Sequence, residues 1–127
     1  TPLHTAVRNI RPAIVELLLA VDGIVVNSQQ NGRTPLHDAI TAGSEEMVRL
    51  LLRDRRAQLN QFEINESDRH GRTPLYLAAS LDQMHTTRLL LGHGEVDINA
   101  SSAFGETPLH VAAKKGYEGV VRLLLER

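Results

Sequence analysis

The chain has 127 residues, and its 14 Lys and Arg stand against 15 Asp and Glu, a formal net charge of −1. That balance argues against a bulk polycation built for nucleic acid and against an acidic tail, and the lack of cysteine excludes disulfides, zinc–thiolate centres and thiol catalysis. With two Tyr, two Phe and no Trp, the core must come from Leu, Val, Ile and Ala, which favours thin, closely packed helices over a large globule.

The first element starts at Thr1-Pro2-Leu3-His4. A Thr hydroxyl caps a helix and a Pro at its first position has no amide hydrogen to leave unpaired, so this tetrapeptide predicts a helix start. It returns at Thr34 and Thr107, with Thr-Pro-Leu-Tyr at Thr73, at spacings of 33, 39 and 34. About ten residues after each start, a second helix is predicted, ending in a Leu triplet: Leu17 to Leu19, Leu50 to Leu52, Leu89 to Leu91 and Leu123 to Leu125. Pro12 begins the first of these; Ser44, with Glu45 and Glu46 at the positive dipole end, caps the second, and Asp82 is expected to cap the third. The breaker between paired helices is Gly43 or Gly116 in two copies, with Ile10 and Asp82 at the corresponding places. After each triplet come extended residues and polar turn formers: Gln29 to Gly32, Asp68 to Gly71 and Ser102 to Gly105. A Gly just before x-Thr-Pro predicts a tight turn with positive φ.

These copies resemble the ankyrin-repeat family, whose unit runs D-x-x-G-x-T-P-L-H-x-A-A-x-x-G and continues to V-V-x-L-L-L. The clearest copy extends from Gly105 to Leu125, and the resemblance covers nearly the whole chain. It implies a mainly α fold: an α-solenoid of stacked helix-turn-helix units with short β-hairpin loops. One domain over 1–127 is expected, with repeats at about 1–28, 29–67, 68–101 and 102–127, and a fragment of a longer array is expected because both ends cut a unit. The departures are Ile10, Tyr76, Asp82, the pair Thr86-Thr87 where apolar residues are expected, one extra residue in the loops Asp22 to Asn27 and Gly94 to Asn99, and an insertion over Arg53 to Glu63. That insertion reads as a tolerated surface excursion in preference to a binding loop tipped by Phe62.

Three histidines, His4, His37 and His110, recur on the first turn of a helix. Stacked units put equivalent residues about 10 Å apart, whereas a zinc–nitrogen bond is about 2 Å, so the three cannot share one ion. The resemblance implies instead that each orients the turn by bonding the capping Thr and neighbouring backbone. His70, His85 and His93 form no H-E-x-x-H, and neither a nucleophile elbow nor a phosphate loop is present. No catalytic residue, cofactor or metal is expected.

Function is therefore sought in binding. The resemblance implies a partner face made of first helices and hairpins, with variable contacts at Arg8, Asn9, Gln30, Asn31, Arg33, Thr41, Arg69, His70, Arg72, Leu81, Phe104, Glu106, Lys114 and Lys115. Six of these are basic and one is acidic, which predicts either a basic face for an acidic partner segment, offset by acids on second helices and in loops, or simply solvated charges. Phe104 and Leu81 are candidate apolar anchors. Asn99 resembles hairpin asparagines presented to an intracellular asparaginyl hydroxylase, and its structural role is to bond the hairpin backbone. The resulting expectation is a non-catalytic protein-binding scaffold, intracellular (cytoplasmic or nuclear), with no membrane insertion and no small-molecule ligand. The alternative is a regulatory or targeting segment of a multidomain enzyme or channel. Nucleic acid is disfavoured because no stacking aromatics accompany the charge.

Overall fold

Each Thr-Pro pair starts a helix. Thr1, Thr34, Thr73 and Thr107 stand at the N-cap, and each hydroxyl accepts the amide hydrogen of the residue three along: His4, His37, Tyr76 or His110. The computed structural model describes residues 1–21, 29–53, 64–93 and 96–127. Among these are eight helices in four pairs: α1 (Pro2–Arg8) with α2 (Pro12–Leu19), α3 (Pro35–Thr41) with α4 (Glu45–Arg53), α5 (Pro74–Ser80) with α6 (Met84–Leu91), and α7 (Pro108–Lys115) with α8 (Glu118–Leu125). First helices pack on first helices, and second on second, so the pairs stack into two rows. That is a helical solenoid.

All four first helices end alike. The residue after the left-handed position donates its amide to a carbonyl five back, and the acceptors are Ala6, Ala39, Ala78 and Ala112. Each alanine is buried, so its small side chain lets the next pair approach. Gly43 (φ +73°) and Gly116 (φ +76°) adopt the left-handed conformation freely, while Ile10 (φ +52°) and Asp82 (φ +55°) are held there by the same bonds. Asp82 is thus spent on the turn and does not cap α6; the N-cap is Gln83, whose side chain instead donates to the Ile40 carbonyl of the preceding pair at 2.7 Å. Ser44 does cap α4, accepting the Met47 amide at 3.3 Å.

The core is a continuous aliphatic seam between the rows. Leu3, Val7 and Val15 lead into Ile40, Met47, Val48 and Leu51, then Leu75, Ala79 and Leu90, and finally Val111, Val120 and Leu124. The middle leucine of the triplet is buried in the last three pairs and half-buried in the first. Thr86 and Thr87 are buried in the same seam; Thr87 satisfies its hydroxyl by donating to the Gln83 carbonyl at 2.7 Å, so a polar residue is tolerated there.

The expected hairpins are shorter than strands. Among the described residues the β pairing is one bridge, Gln30 with Arg33, closed by Asn31 and Gly32, both at positive φ. Later turns are one residue wider, with Asp68 N–H to Arg72 O at 3.0 Å and Ser102 N–H to Glu106 O at 2.8 Å. Pairing cannot extend, because the next residue is already the helix cap. Successive turns also touch: the Ala103 amide donates to the His70 carbonyl at 2.9 Å, and a Cβ on Gly71 (φ +71°) would stand 2.6 Å from that amide nitrogen. The loop 22–27, the insertion residues 54–63, including Phe62, and residues 94–95 lie outside the described residues.

The four turns make opposite predictions for opposite substitutions. A left-handed β-branched residue costs about 1–2 kcal/mol, part of which glycine returns as unfolded-chain entropy. Ile10→Gly should therefore raise stability by about 0.5–1 kcal/mol, and Gly43→Ala should lower it by about 1 kcal/mol although no atom obstructs its new Cβ. Urea unfolding of the two variants checks the signs.

Candidate protein-binding face

The residues anticipated from sequence as partner contacts lie on the first-helix row and its turns. Their positions are fixed by the recurrent histidines. His37 Nδ1 accepts from the Thr34 amide at 3.2 Å and lies 2.8 Å from the Thr34 hydroxyl. With Nδ1 accepting, Nε2 carries the proton and donates to the Arg72 carbonyl of the next pair at 2.9 Å. His4 repeats the arrangement, 2.6 Å from the Thr1 hydroxyl and 2.9 Å from the Arg33 carbonyl. These imidazoles close a helix cap with one nitrogen and hold the next repeat with the other. Tyr76 reaches further, donating its hydroxyl to the Glu106 carboxylate at 3.0 Å. His110 makes the cap contact with Thr107 at 2.8 Å and is exposed.

With the Arg33 and Arg72 carbonyls held, their side chains start from fixed backbone and pair with nearby carboxylates, and a row of alternating charge results. Asp38, 4% exposed, receives Arg8 Nε on one oxygen and Arg33 Nε on the other, each at 2.9 Å. Arg33 also donates to the His37 carbonyl and the Thr41 hydroxyl. It lies 3.9 Å from Asp68, which binds Arg72 Nε at 2.8 Å. Burial alone would raise the Asp68 carboxyl, but the amides of Arg72 and His70 and the Arg72 charge outweigh it and hold it below the usual range. Arg8, Arg33, Asp38, Thr41 and Ala42 line a shallow cavity of about 250 Å³.

The acids expected on second helices and in loops are thus partly elsewhere: Asp38 sits on α3, inside the row it neutralises. Sequence reasoning missed it because its partners lie 5 and 30 residues away, although a carboxylate one residue after His37 in a short helix was a signal. The remaining candidates divide. Lys114 pairs with Glu106 at 3.4 Å, and Lys115 donates to the Ser80 carbonyl at 2.8 Å. Asn9 bonds its own helix through the Thr5 carbonyl, while Gln30 and Asn31 form the first turn. Arg69 is exposed, and its stem covers Gly32. His70 is exposed beside it, and Phe104, 83% exposed, sits on the adjoining turn; Leu81 is exposed at the end of α5. Asn99 is exposed, with its amide donating to the Asp97 carboxylate at 3.1 Å. Among the described residues no three His, Asp or Glu converge as metal ligands, and no helix is long and apolar enough to cross a membrane.

Two stacked rows, a histidine-linked cap and a conserved turn geometry within the chain define a helical repeat protein. The family model described as ankyrin repeats (3 copies) matches residues 1–63 and 55–127, and the chain belongs to the ankyrin-repeat family. It is 41% identical over 81 residues to human neurogenic locus notch homolog protein 4, an alignment covering 64% of this chain and 4% of that protein. It is 35% identical over 94 residues to the human transient receptor potential cation channel subfamily A member 1, covering 74% of this chain and 8% of the channel. With the Notch protein of Drosophila melanogaster the identity is 42% over 82 residues, covering 64% of this chain and 3% of that protein. The chain spans less than a tenth of the length of each of these relatives.

Burial, partly offset by the Arg72 carbonyl, lowers the His37 pKa below its ordinary 6.5, and burial lowers that of His4 likewise. The unfolded chain takes up these protons near pH 6.5 and the folded chain does so only at lower pH, so stability is complete above that value and falls as pH drops below it. The urea midpoint should fall between about pH 7 and about pH 5, and a His37→Gln variant, less stable at pH 7, should show a flatter profile.

Proposed function

We propose that this chain is a non-catalytic protein-binding module that receives an acidic partner segment on its first-helix face. The four repeats, at about 1–28, 29–67, 68–101 and 102–127, act in this reading as one intracellular domain. The observation that carries it is the adjoining pair of turns holding Arg69 and Phe104. Arg69 and Lys115 are cations of this face that are exposed and in no ion pair among the described residues; Lys115 is held on the Ser80 carbonyl, whereas Arg69 stands on a turn that touches the one carrying Phe104, whose large ring is exposed. Around them, six cations (Arg8, Arg33, Arg69, Arg72, Lys114 and Lys115) face three carboxylates (Asp38, Asp68 and Glu106), so the field stays positive after internal pairing. Such a field speeds encounter with an acidic segment, and the ring supplies an anchor.

One aromatic on this face favours a peptide over nucleic acid, which is held by successive stacking platforms. Similarity to a channel and to Notch proteins supports a second reading, that the module regulates or targets a larger protein. Both readings use the same face.

Arg69 is a cleaner probe than Arg72, whose reversal would also set two carboxylates together at Asp68. Peptides selected by display against the full chain should be rich in Asp and Glu around an apolar residue. Arg69→Glu should weaken them about tenfold at low salt, with the difference shrinking as salt rises. Unchanged binding by Arg69→Glu and by Phe104→Ala would sink the proposal.

A further inference from the structure

The second-helix row carries a cleft of its own, between α4 and α6, of about 620 Å³. Leu52 and Leu89, half-buried against the core, supply its apolar lining. Arg49 and Arg53 come from α4, His85 and Arg88 from α6, and His93 from the turn after it. Glu45 is the carboxylate among the described lining residues, and Arg49 already holds it through an i,i+4 pair that keeps its carboxyl below the usual range. Arg88 is exposed and in no ion pair among the described residues. Arg53 is 70% exposed, and its carboxylate contact among the described residues, Glu16 of α2, is at 3.8 Å. The cleft thus joins an apolar lining to rims whose positive charge is largely unanswered among the described residues.

We propose that this cleft docks an acidic, leucine-bearing segment of a partner protein, at a site separate from the first-helix face. Charge complementarity argues for the acid: two exposed guanidiniums on opposite rims match carboxylates flanking a central side chain. The leucines argue for the apolar residue between them, since a purely anionic ligand would leave that lining wet. A lipid surface fits less well, because a plane of headgroups meets the rims and cannot fill the recess. Glu16 shows the approach in miniature, its carboxylate reaching Arg53 from a neighbouring helix.

The test uses the full chain and a fluorescein-labelled peptide of sequence Glu-Glu-Leu-Leu-Glu-Glu, read by anisotropy and by amide chemical shifts. Saturable binding is expected, with shifts at Arg49, Arg53, His85 and Arg88 and weakening as salt rises. The double variant Arg53→Glu with Arg88→Glu should bind at least about tenfold more weakly, the Arg53→Lys with Arg88→Lys pair should bind like the parent, and Arg69→Glu should leave this site unchanged. Matching thermal midpoints establish that the variants fold, as expected for exposed side chains. The proposal is overturned by absent binding, by full-strength binding to the charge-reversed variant, or by shifts confined to Arg33, Arg69 and Arg72. Binding of phosphatidylserine vesicles without binding of the peptide overturns it too, and would make the cleft a membrane contact.

Discussion

The rest of the structure depends on one imidazole placed with both nitrogens occupied. In His37, Nδ1 closes the cap of its own helix and Nε2 holds the carbonyl of Arg72 in the next pair. A helix of seven residues is too short to persist in water by itself, so its start must be enforced by contacts beyond the helix. The histidine supplies both the cap and the link, and does so without charge, since burial disfavours protonation. Repeat proteins are stabilised by nearest-neighbour interfaces, and this bond lies in each of the first two.

The charge pattern of the first-helix face follows in part from the same bond. Once the carbonyl of the residue before each Thr is fixed, the root of its side chain is placed, and the carboxylates within reach decide where its charge comes to rest. Arg33 and Arg72 are thereby aimed at Asp38 and Asp68, and an alternating row forms. At the third interface Tyr76 binds the Glu106 side chain instead of its backbone, so the acid is drawn inward and shared with Lys114. The exchange of His for Tyr therefore alters the charge pattern of the face while leaving the stacking intact. Buried carboxylates such as Asp38 and Asp68 would be costly alone; Asp38 is paired with two arginines, and Asp68 is paired with Arg72 and bonded to the His70 and Arg72 amides.

The two rows have different chemistry because they solve different packing problems. First helices are short, capped by threonine and terminated on alanine, so their outer positions are turns and long polar side chains. Second helices bury one leucine-rich stripe and leave the opposite side to charge. Where α4 and α6 meet, that charge is mostly basic, and half-buried leucines show between the rims. The two proposed docking sites therefore lie on opposite rows of the solenoid.

The helix starts, the helix pairs and the tight turns were legible in the sequence, because a Thr cap, a Pro at the first helical position and a Gly of positive φ act over three or four residues. The capping role of His4 and His37 was legible too, through the resemblance. The left-handed Ile10 was visible only as a gap in the pattern; what puts it there is the bond from Arg11 to the Ala6 carbonyl, which outweighs the strain. Asp38 and the cleft between α4 and α6 could not be found that way. Their partners come from neighbouring repeats, such as Arg8, 30 residues from Asp38. Sequence by itself determined the repeating unit, because the forces that define it are local. Which charges are spent within the molecule and which remain for a partner was decided only by stacking, since ion pairing requires the few ångströms of approach that one repeat gains from the next.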